Sequence, residues 1–203
     1  MKQLEKVPED ALMNAGLELM QQKGQPLTRA PTKGRAKIYA TAKGETVRVR
    51  TCNDHLLVVL ADSAAEDAKL NVEGTDYVLI VMPESPRTHG PVMAFLVPAK
   101  VVEDAARTTH RDWLAGSPNT KGDNRTWCLW FEDKGPEKAN GFARKWAKYR
   151  LSGSAVTSPA GVTAPPPLSG GAKLGDIIAN ARRHIAEAAG VRPEAVHISV
   201  DLA

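Results

Sequence analysis

Cysteine is almost absent from this sequence: Cys52 and Cys128 are the whole complement in 203 residues. That is no disulfide framework, and both thiols are expected to be reduced and structural. Long apolar runs are missing too. None approaches the roughly 20 residues that span a bilayer, and the opening Met1-Lys2-Gln3-Leu4-Glu5-Lys6 has no apolar core behind it that would make a signal peptide. A soluble, cytoplasmic protein is therefore expected. Signature motifs are equally scarce. There is no phosphate-cradling glycine loop, no Gly-x-Ser-x-Gly elbow, no His-Glu-x-x-His and no paired Cys-x-x-Cys. The balance leans away from an enzyme, and no catalytic residue, cofactor or metal is assigned.

What is present is a body of ordinary apolar content, 42%, with its charge sorted along the chain. Residues 27–50 carry a net charge of +6, residues 51–133 carry −6, and residues 134–150 carry +5, within a total of only +4. A local positive surface is what an anionic partner would feel, so this sorting matters more than the total.

The chain is organised around residues 75–115. Two apolar runs, Thr75–Met82 and Val92–Pro98, flank an insert with three prolines and a glycine, and read as strands buried on both faces. Ala99–Ala115 then has helical spacing. Before them, residues 8–23 form a helix with Glu9 and Asp10 at its positive end and Gly24 as its stop. Lys37–Ala42 and Thr46–Thr51 form a hairpin across Lys43-Gly44-Glu45. Alternation in its second strand puts Val47 and Val49 on one face and Arg48 and Arg50 on the other. Leu56–Ala61 is a further buried strand, Ser63–Gly74 an acidic, alanine-rich stretch suited to a short helix, and Arg125–Phe131 an aromatic strand. Trp127 and Trp130, three apart in that strand, face opposite ways, one into the core and one outward. From Asp133 a second amphipathic helix collects Phe142, Trp146 and Tyr149 on one arc, with Lys134, Lys138, Arg144, Lys145 and Lys148 on another.

Residues 152–173, rich in Pro, Gly, Ser and Ala, read as a linker. Residues 174–203 follow as a helix and a strand too small to be stable alone, a unit that would dock on a partner or self-associate. The expected architecture is α+β: a mostly buried central sheet of about five to six strands flanked by helices in residues 1–151, then linker and small unit.

Cys52-x-x-His55 suggests zinc, but structural zinc wants four clustered ligands, and the remaining His89, His110 and Cys128 are isolated. The order of elements is similar to that of the restriction-endonuclease-like nucleases, which hold Mg²⁺ with an aspartate on one strand and Glu-x-Lys on the next. Asp76 would take the aspartate's place. The following strand, residues 92–100, has no carboxylate, so a metal site would need Glu45, Asp54, Asp62 and Asp76 to converge.

Three functions are expected in order. The first is non-catalytic nucleic-acid binding, to DNA or RNA, with phosphates held by Arg29, Lys33, Arg35, Lys37, Lys43, Arg48 and Arg50 of the first basic segment and Lys138, Arg144, Lys145 and Lys148 of the second. Tyr39 or an exposed tryptophan would stack on bases. The second is an adaptor that oligomerises or binds a protein through 174–203. The third is a divalent-metal phosphodiesterase.

Overall fold

The computed structural model describes residues 6–31, 36–63, 65, 67–116, 125–132, 141–157 and 182. The chain divides into two compact units, Met1–Thr157 and Ser158–Ala203. The elements described below all belong to the first. The expected unit at 174–203 and most of the 152–173 linker lie outside the described residues.

Chain order is α1 (Glu9–Gln22), β1 (Thr28–Arg29), β2 (Ile38–Ala40), β3 (Thr46–Thr51), β4 (Leu56–Leu60), β5 (Tyr77–Pro83), β6 (Gly90–Pro98), α2 (Ala99–Gly116), β7 (Thr126–Trp130), α3 (Phe142–Lys145) and β8 (Val156–Thr157). Six strands make one mixed sheet in the order β1-β2-β3-β5-β6-β8. Only the β3–β5 pair is parallel. The α+β class and strand number therefore stand as expected.

Strand β5 is the middle of this sheet and is buried along nearly its whole length. Its alternation feeds two cores. Leu79 and Val81 join Val47 and Val49 of β3 and Ala94 of β6 beneath α1, which contributes Leu12, Ala15, Leu19 and Met20. Val78, Ile80 and Met82 face the other way, with Phe95 and Val97, under α2, β4, β7 and the α3 aromatics. Edge strands β1 and β8 have two residues each, too short to recruit another chain's strand.

The structure departs from the sequence reading in four places. Strands β4 and β7 do not join the main sheet; they pair with each other as an antiparallel ribbon, Leu56 opposite Trp130 and Leu60 opposite Thr126. The turn at Cys52–His55 causes this. His55 has φ 54°, a left-handed conformation that reverses the chain, and Asn53 locks the turn by exchanging two 2.9 Å hydrogen bonds with the Val7 backbone. Ser63–Gly74 is bends and turns rather than helix in its described residues, closed by a bridge from Ala61 to Leu70.

Of the helix expected from Asp133, residues 133–140 lie outside the described residues, and Phe142–Lys145 is helical. Gly141 precedes it, and a 3₁₀ turn, Ala147–Tyr149, follows it. Phe142 and Trp146 are buried as expected, but the change of helix type breaks the even basic arc. Finally, Ser152–Thr157 reads as linker by composition, yet it runs along the main sheet. Leu151 N–H donates to Ala94 O at 2.9 Å, Ala155 is buried, and β8 pairs with Gly90 and Pro91.

Gly16 lets α1 rest on β5. A Cβ there would collide with Val81 Cγ2, and the surrounding layers leave neither backbone room to retreat. Gly16→Ala should destabilise the fold by about 1–3 kcal/mol despite alanine's better helix propensity. In urea unfolding, Val81→Ala added to it should recover part of that loss. Additive destabilisation would show that the two residues do not meet.

Candidate anion-binding cleft

Burial of Val47 and Val49 under α1 forces Arg48 and Arg50 onto the opposite face of β3. There they stand beside Val78 and Ile80, their partners in register on β5. Leu56 and Val58 of the ribbon line the space beside the two arginines. Strand β2 also ends early, with Val49 N–H donating to Lys37 O at 2.9 Å as the last rung. The result is a cleft of about 490 Å³ whose lining includes Lys6, Lys37, Arg48 and Arg50, the carboxylates Glu9 and Asp54, and the apolar Leu56 and Val58.

Partnering decides its electrostatics. Glu9 is taken by Lys37 at 3.1 Å, and Asp10 adds a second contact to the same ammonium at 3.3 Å. These two carboxylates hold the Lys37 pKa above its usual value although burial opposes them. Asp54 is paired with Arg87, whose hydrogen bond holds the carboxyl below the ordinary range, with Lys6 and His55 adding to the effect. Both cleft carboxylates are thus occupied.

Arg50 Nη2 donates at 2.8 Å to Val58 O, on the free edge of β4, and meets no carboxylate among the described residues. Arg48 has no hydrogen bond or ion pair among them, and its Nε is buried without an acceptor. Burial, and then the neighbouring Arg50 charge, lower its pKa from the usual guanidinium value. A guanidinium stays charged even so. Two adjacent arginines therefore present positive charge that no described carboxylate pairs with, in a partly enclosed space where screening is weaker than at an open surface, and Lys6 adds to it.

The remaining basic residues fall elsewhere. Lys43 and Lys148, from the two separate basic segments, both line, with Lys23 and the carboxylate Glu45, a second hollow of about 380 Å³ that also holds Tyr77 and Leu96. Those two belong to the α1 side of the sheet, so this hollow lies on the face opposite Arg48 and Arg50. Lys148 Nζ sits 4.9 Å from the Tyr149 ring centroid and Lys145 Nζ 4.6 Å from that of Phe142. Arg29 is exposed on edge strand β1, and Arg144 is exposed on α3. Lys33, Arg35 and Lys138 lie outside the described residues. The described parts of the two segments thus form two positive sites rather than one tract.

Tyr39, a candidate base-stacking residue, is 6% exposed with its hydroxyl 3.4 Å from Met13 Sδ, so it has no free face. Trp127 is buried, stacked on His110 at 4.4 Å. Trp130 is the outward tryptophan. Lys6, Leu56 and Val58 were not foreseen as site residues. Lys6 stands alone in sequence, and the ribbon that carries the other two reads as a core strand.

The four carboxylates considered for a metal are separately engaged. Glu45 accepts from Thr41 Oγ1 at 3.1 Å, Asp62 from Lys69 N–H at 2.9 Å, and Asp76 from Thr46 N–H and Oγ1 at 2.7 and 2.8 Å. No group of three metal-binding side chains occurs among the described residues. Cys52 is buried, which pushes its thiol up to about 12. The ring nitrogens of His55 lie 2.6 Å from Pro83 O and 3.1 Å from Glu132 Oε1, so this pair locks the turn. No helix among the described residues is long and apolar enough to cross a membrane. Comparison with known proteins adds no relative: no family model, curated protein or solved structure matches the chain.

Two outcomes follow. The Thr46 amide, and then its hydroxyl, hold the Asp76 carboxyl below its usual 3.8. A depressed carboxyl stabilises the fold above its unfolded pKa, and that contribution disappears as pH falls through the folded value. Asp76→Asn should therefore lower Tm at pH 6, with the gap to wild type closing below about pH 4; a gap that ignores pH would contradict the role. Arg48→Met keeps the aliphatic stem and removes an unpaired charge. Its Tm in calorimetry should match or exceed the wild type by up to about 2–4 °C, the shift that roughly 1 kcal/mol produces in a chain of this size. A clear fall would mean that the guanidinium stabilises the fold.

Proposed function

We propose that this is a non-catalytic nucleic-acid-binding protein that holds the phosphate backbone in the cleft of Arg48, Arg50 and Lys6. The observation that carries the reading is Arg48 itself, a guanidinium set partly inside the protein, beside a second one, with no carboxylate bonded to either among the described residues. Arg50 has a structural bond to Val58 O, but folding alone gives no reason to keep Arg48 beside it. A phosphate oxygen supplies the missing acceptor and the missing charge together, through the fork geometry that guanidinium groups offer. The carboxylates nearest to hand, Glu9 and Asp54, are already neutralised by Lys37 and Arg87, so they leave the cleft's positive charge in place. The separately engaged acidic residues supply no hydrolytic centre, which favours binding over cleavage. The hollow of Lys23, Lys43 and Lys148 is a second, weaker phosphate contact on the other face.

Fluorescence anisotropy with labelled oligonucleotides tests this. At about 50 mM salt the full chain should bind, and log K should fall linearly with log salt. Arg48→Met, already expected to keep its fold, should weaken binding about equally for unrelated sequences and reduce the salt slope by about one. No detectable binding at low salt, to single strand or duplex, would overturn the proposal.

A further inference from the structure

We infer that the outer face of the β4–β7 ribbon is a base-stacking platform continuous with the cleft, so that the ligand is a single strand rather than a duplex. The inference rests on the phosphate-binding reading and extends it to the kind of nucleic acid. In the ribbon, alternation sends Leu57, Val59, Trp127 and Leu129 into the core and leaves Leu56, Val58, Leu60 and Trp130 outward. Leu60 is 46% exposed, and Leu56, Val58 and Trp130 are only partly buried. Leu56 and Val58 also line the cleft, and Trp130 lies directly across from Leu56 in register. Cross-strand neighbours on one face have Cβ atoms about 4.5–5.5 Å apart, so the indole adjoins the cleft rim. Trp130 has no ring contact and no hydrogen bond among the described residues, whereas its inward counterpart Trp127 is stacked on His110. The indole is thus a π-face without a ring partner among the described residues.

Charge selects the occupant of this apolar strip. A ligand lying across it must place anionic groups against Arg48 and Arg50 and flat apolar groups against Trp130 and Leu56, a step apart. Arg48 and Arg50, two residues apart on one strand face, are separated by about 6.6 Å along the strand, a repeat that an extended polyanion can follow. A single nucleic-acid strand carries both group types in alternation and exposes its bases. A duplex hides its base faces in the stack. Base–aromatic contacts of this kind contribute about 1–3 kcal/mol per base and tolerate any sequence.

The test measures the binding of the full chain to four probes by anisotropy. These are an oligothymidylate of about 15 nucleotides, an abasic deoxyribose-phosphate oligomer of equal length, the matching duplex, and a poly-glutamate of equal charge as competitor. Oligothymidylate should bind about tenfold more tightly than the abasic oligomer. Trp130→Ala should erase that difference and Trp130→Phe should keep it, while Arg48→Met weakens both ligands. Thermal melts of each variant establish that the fold is intact. Equal affinity for oligothymidylate and abasic oligomer, or stronger binding of duplex than of single strand, overturns the stacking platform but leaves the phosphate grip. Poly-glutamate displacing oligothymidylate at lower concentration overturns the choice of nucleic acid. Failure of every nucleic-acid probe to bind removes both proposals.

Discussion

Strand β5 is the constraint on which the rest of this structure depends. Its side chains are buried toward both faces, so the main sheet must carry a layer on each side. On one side α1 lies close enough that Gly16 has no space for a Cβ against Val81. On the other, Val78, Ile80 and Met82 are covered by α2, the ribbon and the α3 aromatics. Parallel pairing with β3 then transmits the same two-sidedness to its neighbour. Since Val47 and Val49 must follow Leu79 and Val81 under α1, Arg48 and Arg50 have only the other face to occupy. The cleft is therefore a consequence of register. Slipping β3 by one residue would drive both arginines into the α1 core and put both valines in the cleft.

The second determinant is the turn after β3. A chain leaving a buried sheet most simply returns to its edge, but the left-handed His55 and the two-way bond between Asn53 and Val7 send β4 across the sheet's face. The buried imidazole lies against the end of β5 at Pro83 O and the end of β7 at Glu132, so three elements converge on one ring. Arg50 finishes the arrangement by donating to Val58 O, an otherwise open acceptor on the β4 edge. That bond gives Arg50 a structural duty besides its charge. Arg48 has none among the described residues, which makes it the cleaner reporter of what the cleft is for.

Much of this was legible along the chain where the physics is local. The β2–β3 hairpin, the alternation of valines and arginines in β3, the two strands around residues 83–91 and helix α2 each follow from periods of two or 3.6 residues. The opposite facing of Trp127 and Trp130 follows too, by parity alone, though parity does not say which is inside. What was not legible is long-range. An apolar run such as Leu56–Leu60 reads the same whether it joins a central sheet or a separate ribbon, because only pairing with β7 distinguishes the two. The neutralisation of Lys37 by Glu9 and Asp10 crosses from one element to another. Ser152–Thr157 has the composition of a linker, yet β6 offers its unpaired edge there, and backbone hydrogen bonding does not consult composition. The basic arc drawn from Lys134 to Lys148 failed in its described portion because it assumed one continuous α-helix, whereas the chain tightens into a 3₁₀ turn after Trp146.

The energetic logic of the cleft follows from these placements. Setting a charged group partly out of water is unfavourable unless a partner repays the lost hydration, and a like charge alongside adds to the penalty. At several other cationic side chains that demand is met. Arg107 reaches Glu73 and Glu103 at 3.1 and 3.0 Å, Arg87 reaches Asp54, and Lys37 reaches two carboxylates. Arg48 breaks the pattern in the one place where the wall is also concave and beside an unpartnered indole. A residue at odds with the stability of its own fold is where a functional demand is most visible. On the proposed reading the demand has a specific sign and shape: an acceptor that is anionic, repeats along its length and carries flat apolar groups beside the charge. Under the proposed reading, Arg48 and Trp130, each without a side-chain hydrogen bond among the described residues, answer the two halves of that description.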